Sequence, residues 1–86
     1  MMMTLKDCHL KFYKDSEASN KHNQDIYAVD AIPHDEDKTA FRKIAFVFNW
    51  REGMTPSIKI PYYIDALTLD EICEVVVKKE APDDSE

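Results

Sequence analysis

Cys8, His9, His22, His34 and Cys73 are the side chains of this chain with soft-metal chemistry. Structural zinc takes paired ligands such as C-x2-C or H-x3-H, because a local turn then aims both at one ion. Neither spacing occurs here. Cys8 and His9 are adjacent, so in an extended segment they point to opposite faces and cannot chelate together. His34 with Asp35 and Asp37 would offer a hard ion a turn, but an acidic turn is ordinarily plain surface. Asp30 followed by Glu36-Asp37-Lys38 spells a carboxylate and an E-x-K, a set that can hold Mg2+ and orient water. That chemistry needs the E-x-K on a rigid strand, and here it falls in a turn just after Pro33. A cysteine nucleophile would need a local signature beside Cys8 or Cys73, and there is none. The single glycine, Gly53, excludes glycine-built phosphate loops. The expectation is no enzyme, no metal and no cofactor.

Two binding constellations have more substance. Arg42, Lys43, Trp50, Arg51 and Lys59 interleave with Phe41 and Phe48, the mixture that stacks bases and holds phosphates. This is the alternative reading, a sheet-based binder of RNA or single-stranded DNA using residues 41–60. Against it, Phe46 and Phe48 are better explained as core. The net charge of −6 also repels a polyanion out to about a Debye length, ~8 Å at physiological salt.

The preferred reading uses the acidic last third. Asp65, Asp70, Glu71 and Glu74, aided by the aromatics Trp50, Tyr62 and Tyr63, would dock on a protein partner with a basic surface. Apolar anchors would supply affinity, while the carboxylates set orientation and partner choice. This implies a small, acidic, non-enzymatic interaction module, an inhibitor or accessory factor in the style of phage and plasmid accessory genes. Nucleic-acid mimicry is its sharpest form.

Charge is distributed in blocks. Residues 41–60 sum to +3 (Arg42, Lys43, Arg51 and Lys59 against Glu52), whereas 61–86 sum to −6. A chain of 86 residues makes one domain with little core to spare. Its 44% hydrophobic content excludes a disordered class despite the many charges. Met1–Asp7 holds no apolar run of signal-peptide length, and no stretch approaches the ~20 apolar residues of a membrane span. Two cysteines are fewer than a small secreted scaffold carries. A cytoplasmic protein with reduced thiols is expected, without membrane contact.

The elements that must position these residues follow from periodicity. Phe41–Trp50 alternates Ile44, Phe46, Phe48 and Trp50 against Phe41, Ala45 and Val47, a central strand apolar on both faces. Ser57–Ile64 reads as its hairpin partner, placed at an edge by Pro61. Asp25–Ile32 reads as another strand, stopped by Pro33. Residues 4–14 fit both a helix and a strand, with the strand preferred. Residues 15–24 hold no hydrophobe larger than alanine and read as a long exposed loop.

Thr68 is the predicted N-cap of a helix over Leu69–Lys79, with Glu71 closing a capping box and Leu67 and Ile72 forming a staple. Leu69, Ile72, Cys73 and Val76 would be its buried stripe. Val75, Val76 and Val77 weaken helix propensity and leave its end open to fraying or extension. The expected fold is α+β: a small antiparallel, meander-like sheet of three or four strands, with the C-terminal helix packed on one face. Residues 1–80 make the domain and 81–86 a solvated acidic tail. The face carrying Phe41, Ala45 and Val47 would need cover, which a homodimer would supply.

Overall fold

The computed structural model describes residues 7–51 and 53–78. Its elements are β1 (Cys8–Lys14), α1 (Ser16–His22), β2 (Ile26–Pro33), β3 (Phe41–Phe48), β4 (Ser57–Lys59) and α2 (Ala66–Lys78). The four strands form one antiparallel meander in the order β1-β2-β3-β4, and α2 closes one face. This is the α+β architecture expected from the sequence. The proposed tail, 81–86, lies outside the described residues.

The first segment is a strand because both of its faces are wanted. Phe12 looks toward α2 and Tyr13 toward the opposite side, and both are fully buried. The core under α2 joins Phe12, Val29, Ala31, Ile44, Ala45 and Val47 to Ile72 and Val76 of the helix.

The helix begins earlier than its predicted cap. Asp65 Oδ1 accepts the N–H of Thr68 at 3.0 Å, so Asp65 is the capping residue and Ala66 the first helical one. Thr68 lies in the first turn with its side chain buried, and Glu71 is exposed, so the Thr68–Glu71 box does not form. Thr68, Ile72 and Val76 make the inward stripe, with Val75 half-buried beside it. Leu69 is turned outward and Cys73 is half-buried. Val75–Val77 stay helical. Their β-branches cost only tenths of a kcal/mol each, whereas burying Val76 alone returns about 1.5–3 kcal/mol.

Residues 15–24 are not a loop. Asp15 Oδ1 accepts the N–H of Ala18 at 3.0 Å and caps α1, which Asn23 terminates at φ 54° with its N–H on Ser19 O. Glu17 in the first turn, with Lys21 and His22 in the last, complements the helix dipole. Ser19 is buried: its hydroxyl accepts the N–H of Ile26 at 2.9 Å and donates to Ile26 O at 3.1 Å. Caps and one serine clasp hold this helix, with no large apolar side chain.

That helix gives the sheet a second cover. Ala45 and Val47 are closed under α2, while Phe41 stays 44% exposed. On the other face, α1 packs on β2 beside Ile26, and Tyr13, Ile26 and Ala28 are all buried there within one copy of the chain. The strands are also shorter than expected. β3 ends at Phe48, and β4 spans only Ser57–Lys59, at the edge, before Pro61.

Candidate functional site

Asp30 organises the face away from α2. Between the pairs Val29–Ala45 and Ala31–Phe41, the residues Arg42, Lys43 and Ile44 stand opposite Asp30 alone, which makes a β-bulge. Lys43 takes φ 55° there. The freed Lys43 N–H donates to Asp30 Oδ1 at 2.8 Å, the Tyr13 hydroxyl donates to the same oxygen at 2.9 Å, and Arg42 Nε lies 3.2 Å from Oδ2. Lys43 Nζ stands 3.2 Å from buried Asp15 Oδ2, as an ion pair without a directional hydrogen bond. The bulge also resets the alternation, so Ile44 and Ala45 are both buried although adjacent.

Burial, and then the hydrogen bond to Asp30, push the Tyr13 phenol well above its ordinary value of 10.0. A group with a raised folded pKa contributes stability that is complete below its unfolded value and lost as pH rises through the folded one. Above pH ~10 the protein is therefore expected to lose stability more steeply than Tyr13→Phe, by up to about 1.4 kcal/mol per pH unit. Urea unfolding across the alkaline range measures the difference, and parallel slopes would contradict it.

Trp50 is committed to the fold. Its indole N–H donates to Val76 O at 2.8 Å, and its ring packs on Phe12 and Tyr27 with centroids 5.2 Å away from each. It clamps the C-terminal half of α2 to the sheet and is not an exposed anchor. Arg42 and Lys43 are held by carboxylates at the bulge, at the start of β3, whereas Trp50 and Arg51 follow its other end. The five residues proposed for a nucleic-acid hairpin surface are thus not one patch.

The outward side of α2 is different. Leu67, Asp70, Glu74 and Val77 follow one another at helical spacing away from the core stripe, flanked by Glu71. Leu67 is 74% and Val77 73% exposed, about 15 Å apart along the axis. Among the described residues, Asp70 and Glu71 make no ion pair. Tyr62 and Tyr63 are exposed just ahead of the helix, Tyr63 by 85%. Asp65 belongs to the cap: the Thr68 hydroxyl and N–H hold its carboxyl below the usual range.

The metal and nucleophile candidates are scattered. Asp30 is under the bulge, whereas Glu36 and Lys38 sit on an exposed turn where Asp35 Oδ1 accepts the N–H of Asp37. The rings of His9 and His34 lie 5.4 Å apart, tilted by 32°. Among the described residues no three His, Cys, Asp or Glu side chains are grouped to share an ion. Cys8 and Cys73 are free thiols, and burial pushes Cys8 up, away from the thiolate. Among the described residues, no helix is long and apolar enough to cross a membrane.

The chain matches no protein-family model, and comparison with curated proteins and with solved structures finds no match.

Proposed function

We propose that this protein is a non-enzymatic interaction module of the cytoplasm, an inhibitor or accessory factor, which docks the outward side of α2 on a protein with a basic surface. The observation that carries this reading is the exposure of Leu67 and Val77, at opposite ends of a helix already closed on its other side, with acidic residues between them. Solvent-facing apolar anchors at helical spacing are what a helix presents to a groove. Each anchor buried on docking supplies about 1.5–3 kcal/mol, while Asp70, Glu71 and Glu74 steer and orient. Tyr62 and Tyr63 extend the contact.

The geometry supports apolar docking better than mimicry of a duplex. Over ~15 Å a duplex presents about nine phosphate charges. The α2 surface sets Asp70, Glu71 and Glu74 in that length, between aliphatic side chains.

Capture from a lysate of the native host tests the proposal. The immobilised protein is expected to retain a basic protein, and to lose it when Asp70 and Glu71 become Lys or when Leu67 and Val77 become Glu. An eluate that keeps the same protein after both changes overturns the reading.

A further inference from the structure

The sheet face opposite α2 is only partly covered by α1, and the remainder is a groove. Phe46 and Phe48 lie half-buried in its floor beside Ile26, and Ala18, His22 and Gln24 form a wall. Register places Lys59 of β4 directly opposite Phe46, and Ile26 opposite Phe48, so these side chains share one face. The groove encloses about 280 Å3, near the lower end for a ligand pocket, which suits one ring with its charged substituent. Gln24 also borders a second hollow, of about 400 Å3, lined by Asn23, Asn49, Trp50 and Arg51. Both asparagines there take positive φ, 54° and 58°, and Asp25 on its rim is already held by Lys14 at 3.0 Å.

We infer that this groove, together with the hollow that shares Gln24 with it, binds single-stranded nucleic acid over one or two nucleotides. A base stacks on Phe46 and Phe48, its edge meets the Gln24 amide, and Lys59 and Arg51 each take a phosphate. Aromatic side chains on an open sheet face stack bases of any sequence, because every base has a π-face. An amide offers both a donor and an acceptor to a base edge. The second hollow favours a strand over a lone nucleotide, since a chain leaving Gln24 next meets two more amides and a guanidinium. Among the described residues, Lys59 and Arg51 have no carboxylate partner, unlike Lys14 and Lys43. The stacking groove lies on the face away from the acids of α2, so it stands apart from the docking proposed above. Trp50 lines the second hollow but is engaged by the core, and Arg42 and Lys43 border neither hollow.

Fluorescence anisotropy of a labelled thymidylate decamer on the full chain tests this. Binding is expected at low salt, weakening with a log–log slope of about −1.4, the value for two phosphates on a single strand. Lys59→Gln and Arg51→Gln should each flatten the slope by about 0.7. Phe48→Leu, which keeps the apolar volume but removes the ring, should weaken binding by roughly tenfold. Leu67→Glu, on α2, should change nothing. Circular dichroism checks that each variant is folded, and Phe46→Leu replaces Phe48→Leu if that one is not. No binding at low salt, a decamer affinity indifferent to loss of the ring, or displacement by free thymidine monophosphate as effective as by unlabelled decamer would overturn the inference.

Discussion

Asp30→Ala is expected to unfold the domain, or to lower its stability by about 3–5 kcal/mol. The carboxylate is 4% exposed and receives the Lys43 N–H, the Tyr13 hydroxyl and the Arg42 guanidinium. Removing it leaves a buried phenol and a backbone N–H without an acceptor, in a bulge held by that acceptor. A domain of this size is stabilised by only about 5–15 kcal/mol in all. At ~4–8 °C per kcal/mol, the fall in Tm should exceed about 12 °C. Asp30→Asn keeps Oδ1 as the acceptor for both donors but turns an amide NH2 toward Arg42 in place of the charged Oδ2, so it should cost less, about 1–3 kcal/mol. Thermal unfolding of the two variants checks the order. Equal Tm values for wild type and Asp30→Ala would show that Asp30 does not organise the bulge.

Trp50→Ala should cost a similar amount, about 3–5 kcal/mol, because a large ring leaves a cluster that includes Phe12, Tyr27 and the end of α2. Trp50→Phe retains a ring against Phe12 and forfeits the hydrogen bond to Val76 O, a loss of about 1 kcal/mol. The pair separates two roles for this residue. If Trp50 acts as a clamp, Trp50→Phe should capture a partner as well as wild type does at a temperature where both are folded. If its indole were itself a contact, capture would weaken while stability barely moved.

Much of the fold was legible because its strands carry strong alternation. Phe41–Phe48 and Asp25–Ile32 are apolar on both faces, and only a sheet with cover on each side satisfies that. What periodicity could not show was α1, which hides no side chain larger than serine. Its signal lay in Asp15 as a cap, Glu17 in the first turn and Asn23 at the end, which are polar and local. The phase of α2 was misread for a related reason. Thr68 and Asp65 are both good caps, three residues apart, and the helix takes the earlier one while burying the threonine.

At the surface, composition pointed to the acids and tyrosines of 62–74 but not to which were available. Asp65 is engaged by the helix start, and Trp50 by the core. Arg42 and Lys43 are neighbours of the hairpin's other cations only in sequence, and nothing in the alternation reveals a bulge that turns them onto Asp30 and Asp15. Alternation alone makes Phe46 and Phe48 core residues, whereas both are half-buried. Which face α1 leaves open depends on a helix that hydrophobicity did not mark.

The most direct test replaces single residues by a photo-crosslinking amino acid and maps the attachment in host lysate. Positions 67 and 77 on the far side of α2 should capture one cationic protein, and position 21 on α1 should not. Label arising from α1 while both α2 positions stay silent would contradict the account.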